Sequence, residues 1–187
     1  IVIRDCVPSE VLNESRVIMG ETLSKLLNKK VDYNEGLLEA VQKYKQFEVQ
    51  ALLHGQLQAK GLKKCILLQP QILNTLIHLI GPDLAYNREG SIHANLRSTT
   101  ESIYKKKWHQ EVWSGGSILH VTIWTPLSLA EPSGGIGFIP GSHIWGLVPN
   151  QNRKPIELPE EYEVVTPELT EGCSIIFHSL ALHQTIK

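Results

Sequence analysis

Apolar residues recur at helical spacing through the first eighty positions and then alternate in short runs. Val11, Leu12, Ser15, Ile18, Met19, Thr22, Leu23, Leu26 and Leu27 make one such stripe, which predicts an amphipathic helix from about 9 to 28. Pro8 or Ser9 can open it, with Glu10 in the favourable first turn. A second helical segment starts at Asn34-Glu35-Gly36 and runs to about Lys60, where Gly61 stops it. Its Gln, Lys, Glu, Ala and Leu are good helix formers. Gln69 to Ile80 predicts a third helix, ended by Gly81-Pro82. Ile1-Val2-Ile3 reads as a short strand ahead of all of these, and Asp5 to Pro8 as the turn out of it.

From Leu84 onward the period changes to two. Ser91 to Arg97 predicts a strand with Ile92, Ala94 and Leu96 on one face and His93, Asn95 and Arg97 on the other. Ser98 to Lys107 has little periodicity and predicts a loop. Ser117 to Trp124 is rich in β-branched and aromatic residues, with Ile118, His120, Thr122 and Trp124 sharing its more polar face. Ile136 to Ile139, Tyr162 to Thr166, Cys173 to His178 and Leu180 to Ile186 follow as strands. Trp145 to Asn152 reads as a loop, and the glutamate-rich stretch from Glu157 to Glu171 as exposed. Helices first, then short strands with Gly and Pro turns, argue a β-sandwich or jelly roll covered by helices on one side. The lack of regular alternation of strands with long helices after residue 90 argues against a doubly wound α/β fold.

The 187 residues suffice for one domain: a helical part at 9–80 packed on a jelly-roll core at 84–187. The sequence starts inside what reads as a strand and without Met, and it stops before a jelly roll would close, so both ends are expected to continue. Lys+Arg 18 against Asp+Glu 19 leaves no basic excess for nucleic acid. No apolar run approaches the roughly 18 residues of a membrane span. Three scattered cysteines, Cys6, Cys65 and Cys173, fit neither a disulfide framework nor a zinc cluster, so a cytoplasmic setting is expected. Neither a nucleic acid nor a membrane is an expected partner.

Candidate chemistry concentrates at Trp108-His109-Gln110-Glu111 and at His183. Side chains at i and i+2 of a strand share a face, so His109 and Glu111 would point together. His183 returning on a neighbouring strand would complete a set of two histidines and one carboxylate. That set leaves open positions on an octahedral ion, as in non-haem Fe(II) oxygenases. Other histidines read differently. His120 is a pocket-lining candidate. His143, after Pro140-Gly141-Ser142, would hold a loop through backbone bonds. His178 would face away from His183 on a continuous strand. Lys105-Lys106-Lys107 reads as a solvated loop face, with attraction of an anionic co-substrate as the alternative.

Several of these motifs also carry a resemblance to a known family. Trp108-His109-Gln110, Gly134-Gly135 leading into Gly137 to His143 and Gly146, and Gly172 to His183 resemble the phytanoyl-CoA dioxygenase family of Fe(II)- and 2-oxoglutarate-dependent oxygenases. The opening from Val2 to Glu10 is similar to the family's first strand and helix. The resemblance implies a mostly β fold with flanking α-helices, a double-stranded β-helix (jelly roll, cupin-like). It implies Fe(II) held by His109, Glu111 and His183, the catalytic set. It also implies oxidative decarboxylation of 2-oxoglutarate to succinate and CO2, with O2 as the other co-substrate and hydroxylation of a C–H bond in a small-molecule substrate. Thr185 matches a hydroxyl residue that assists the co-substrate. Asn95, Arg97, His120 and Trp124 are expected to line the pocket.

Two departures stand out. Glu111 occupies a position where the family usually has aspartate, and the arginine that grips 2-oxoglutarate is expected beyond Lys187. Glu111 keeps two alternatives open: a non-oxidative cupin-like metalloenzyme and a catalytically silent jelly-roll binding protein.

Overall fold

The computed structural model describes residues 1–86, 92–93, 106–128 and 135–186. The expected strand from Ser91 to Arg97 therefore lies almost wholly outside the described residues, and with it the pocket candidates Asn95 and Arg97; Ile92 and His93 have no regular structure. The chain divides into two compact units, Asp5–Leu96 and Ile1–Arg4 with Arg97–Lys187.

The first of these units is helical among its described residues. α1 spans Ser9–Leu27 and ends at Asn28 in the left-handed conformation, so the expected boundary is met within a residue. α2 spans Tyr33–Lys43, and the Asp32 carboxylate caps it by accepting from the Asn34 and Glu35 N–H groups. α3 spans Gln46–Ala59, α4 Leu62–Leu67 and α5 Pro70–Ile80, with Pro70 opening α5 and Gly81 closing it.

The single helix expected from 34 to 60 is thus two helices. Tyr44 and Lys45 are extended between them. No residue there breaks a helix, so packing decides: the break lets both α2 and α3 lie against α1. α4 was not expected.

Leu12, Met19, Leu23, Ala40, Val49, Leu53, Leu57 and Leu62 are buried in this unit. The approach of α2 to α1 is close at Gly36. A methyl added there would sit 2.6 Å from Val31 Cγ2 and 3.0 Å from Leu23 Cβ.

The second unit carries the strands. β1 is Val2–Ile3, β2 Val121–Trp124, β3 Ile136–Phe138, β4 Asn150–Gln151, β5 Lys154–Pro155, β6 Ser174–His178 and β7 His183–Thr185. They form three antiparallel sheets, β1-β6-β2, β3-β7 and β4-β5. Among the described residues helix therefore outweighs strand, which departs from the expected preponderance of β structure.

The strand expected over Ser117 to Trp124 begins only at Val121. Its first half is a turn: the Ser117 hydroxyl accepts the Leu119 N–H, and the Ser117 carbonyl accepts the His120 N–H. Local serine bonding competes with the ladder here. The expected strand at Tyr162 to Thr166 reduces to one bridge, Phe138 with Val165. The loop expected from Trp145 to Asn152 instead contains the start of a hairpin, β4-β5. Asn152 and Arg153 turn it with φ of 53° and 59°, the mirror-image turn that fits strand twist.

The core of this unit joins Ile136, Leu169, Cys173, Ile175 and Phe177, with Trp124, Phe138 and Ala181 against it. A second cluster, Ile139, Val148 and Leu182 with Trp108, Trp113 and Leu158, lies behind the histidine strand.

Two glycine substitutions separate packing from propensity. Alanine is the better helix former by about 1 kcal/mol, but overpacking costs about 1–3 kcal/mol. Gly36→Ala is expected to lower the unfolding free energy by about 1–2 kcal/mol in urea titration. Gly55→Ala in α3, where an added methyl meets nothing within 4 Å, is expected to raise it by about 0.5–1 kcal/mol.

Candidate metal centre

His109 and His183 face each other as an antiparallel bridge. The His109 N–H donates to the His183 carbonyl at 3.0 Å, and the His183 N–H to the His109 carbonyl at 3.1 Å. Directly opposite residues point their side chains to the same side, and the two rings lie with centroids 4.0 Å apart.

Glu111 does not continue the strand as the His-x-Glu spacing suggested. The chain leaves its extended path after Gln110, and Glu111 begins a 3-10 turn, Glu111–Ser114. Its side chain nonetheless returns to the histidines. Oε1 lies 3.2 Å from His183 Nε2 and 3.7 Å from His109 Nε2. One ligand atom from each of the three residues falls within 4.8 Å of the others. A turn at this point is compatible with the longer glutamate side chain.

The imidazoles are prepared for coordination. His109 Nδ1 donates to the Lys107 carbonyl at 2.8 Å, and His183 Nδ1 to the Ala181 carbonyl at 3.0 Å. Carbonyl oxygens only accept, so each neutral ring carries its proton on Nδ1 and turns a lone pair at Nε2 towards Glu111. His109 Nε2 is buried and has no hydrogen-bond partner, a state that native structures rarely leave unexplained. Burial lowers the His183 pKa, which keeps this ring neutral. Where the His109 and His183 rings offer it a proton they hold the Glu111 carboxyl well below the usual carboxylate range, and the Lys106 ammonium acts in the same direction; burial opposes them. Two lone pairs and a carboxylate converging on one point repel unless a positive charge lies between them. The donor set and the unpaired Nε2 therefore fit a divalent cation.

Rigid neighbours hold the two histidines. Phe177 lies 4.6 Å and Phe138 5.9 Å from the His183 ring, centroid to centroid. Phe138 is also the cross-strand partner of His183. Behind the site, Gln110 is fully buried. Its Nε2 donates to the Gly146 carbonyl at 2.8 Å and the Leu180 carbonyl at 2.7 Å, and its Oε1 accepts the Val148 N–H at 3.0 Å. One amide thus ties two loops to the back of the histidine strand. Ser142 does the same for the segment before His183: its hydroxyl donates to the Ile139 carbonyl at 2.7 Å and accepts the Leu182 N–H at 2.8 Å.

Sequence reasoning missed both residues. Gln110 was findable, since a residue between two ligands on one face must point to the other face, into the core. The loop-holding role expected of His143 belongs to Ser142, while His143 is exposed with its ring 6.1 Å from that of His178. His178 lies outside the triad, as expected, and its Nδ1 accepts the Leu180 N–H at 3.1 Å.

The remaining candidates separate. Thr185 is on β7, two residues past His183 and on the same face. Trp124 packs on the strand core. His120 sits at the turn before β2, half-buried, and is not among the converging ligands. Thr122 pairs directly with Phe177 across the sheet, so both face the His183 side. Its hydroxyl oxygen is buried and has no partner among the described residues.

The strands thus carry a candidate metal site of two histidines and one carboxylate. The family model of phytanoyl-CoA dioxygenase (PhyH) matches residues 1–186, and the chain belongs to that family. Members are typically non-haem iron, 2-oxoglutarate-dependent dioxygenases. No curated protein and no solved structure matches the chain. Among the described residues no helix is long and apolar enough to cross a membrane.

Replacing Gln110 by Ala removes the partner of two part-buried carbonyls and of the buried Val148 N–H. Each unsatisfied group costs about 1–3 kcal/mol, so Gln110→Ala is expected to lose about 3 kcal/mol or more of unfolding free energy, read from urea or thermal denaturation.

Proposed function

We propose that the chain is an Fe(II)- and 2-oxoglutarate-dependent dioxygenase that hydroxylates a C–H bond of a small-molecule substrate. The observation that carries this is the convergence of His109 Nε2, His183 Nε2 and Glu111 Oε1 within 4.8 Å, with His109 Nε2 buried and unpaired. Family membership across residues 1–186 supports it and supports reading both units as one oxygenase domain of jelly-roll type.

When bound, iron with 2-oxoglutarate and O2 would supply the oxidising chemistry. The protein's residues would do the rest. His109 and His183 offer neutral donors fixed by their Nδ1–H bonds. Glu111 supplies one negative charge. These three residues would hold the ion and would leave coordination positions to the co-substrate and O2. Phe138 and Phe177 screen His183 from water on the apolar side. The hydroxyls of Thr185 and Thr122 are available for an oxygen-rich ligand, and His120 and Trp124 remain candidates for the pocket wall.

The test is an anaerobic titration with Fe(II) and then 2-oxoglutarate, recording the visible iron-to-keto-acid charge-transfer band. A saturable band is expected. Glu111→Asp should retain it. Glu111→Ala should weaken iron binding by more than the roughly 10–100-fold typical of outer-shell changes. Iron uptake without a band would leave a non-oxidative metalloenzyme, and no uptake in the folded protein would leave a silent binding protein.

A further inference from the structure

The strand ahead of His109 is irregular. A regular antiparallel ladder would follow the His109–His183 pair with Lys107 opposite Thr185. Instead the Thr185 N–H donates to the Lys106 carbonyl at 2.8 Å. The strand therefore holds one extra residue, a β-bulge, a device that re-aims side chains beside active sites. It has two effects. The Lys107 carbonyl, left out of the ladder, is free to take the Nδ1–H of His109. Lys106 is turned towards the ligands, its Nζ 3.9 Å from Glu111 Oε1, the same oxygen that faces both histidines.

An ammonium so placed opposes a bare metal ion. Two neutral imidazoles, one carboxylate, one divalent ion and one ammonium leave the centre with two positive charges. A small dianion brings that total to zero; without Lys106 the same dianion would overshoot to net negative. The side chain of Lys106 is 42% exposed, so solvent reduces both effects without removing them.

We propose that Lys106 is a cationic contact, at the metal end, for a small dianionic carboxylate bound at the metal centre, and that it makes metal and anion bind cooperatively. The inference rests on the metal-centre reading above and adds to it a residue, Lys106, that couples anion to metal. Coupling of this kind is reciprocal: the anion tightens the metal by the factor by which the metal tightens the anion.

The test uses the full chain without O2. The dissociation constant of Mn(II) is measured from the electron paramagnetic resonance signal of the free ion, alone, with 2-oxoglutarate, and with oxalate. It is repeated for Lys106→Met and Lys106→Arg, with circular dichroism to verify folding. In the unmodified protein and in Lys106→Arg, the dianions should tighten Mn(II) binding. In Lys106→Met, Mn(II) alone should bind as tightly or more tightly, and the tightening by dianions should fall by about tenfold.

Unchanged tightening in Lys106→Met overturns the proposal. So does an equal loss of Mn(II) affinity with and without anion, which would make Lys106 a mere prop for Glu111. If oxalate shows the Lys106-dependent coupling and 2-oxoglutarate does not, the Lys106 assignment stands and the oxygenase reading falls. If the unmodified protein binds no Mn(II), both fall.

Discussion

Two backbone hydrogen bonds between His109 and His183 set the register on which the centre depends. Each contributes only about 0.5–1.5 kcal/mol. Their importance is geometric. Strand side chains alternate, so a slip of one residue would present Leu182 to the site and bury His183 in the apolar cluster that now holds Leu182. The register is guarded on both faces. Phe138 and Phe177 hold the His183 ring on one side. Gln110 and Ser142 tie the backbone on the other.

The two faces treat polar groups differently. Behind the strand, the fully buried Gln110 amide spends both ends on backbone partners, as a buried polar group must if it is not to destabilise the core. In front, His109 Nε2 has no protein partner and three acceptors crowd one point. The same fold satisfies the Gln110 amide completely and leaves His109 Nε2 unpaired. The front face is the candidate cation site, while the back face bears the mechanical load.

Glu111 and Lys106 show how irregular backbone serves this arrangement. Regular strand geometry at both positions would give a plain His-x-carboxylate edge. The 3-10 turn at Glu111 and the bulge at Lys106 instead bring a longer carboxylate and a cation to the same oxygen-centred point. The glutamate is thus part of a locally rebuilt edge, with its charge, its turn and its cationic neighbour matched to one another.

Much of this was legible in the sequence, where the cause is local. The apolar stripe of α1, the Pro70 and Gly81 bounds of α5 and the run from Ser174 to His178 follow from periodicity and turn chemistry over a few residues. His109 and Glu111 are suggested by their spacing, and His183 is added to them by the family resemblance. Tertiary structure alone decided the break at Tyr44 and Lys45, the three partners of Gln110 and the turn of Lys106 towards Glu111. Each depends on groups elsewhere in the chain: the surface of α1, the carbonyls of Gly146 and Leu180, the N–H of Thr185. Sequence pattern records which face a residue prefers. It does not record which distant backbone group will meet it there, because that is set by register and packing once the whole chain has folded.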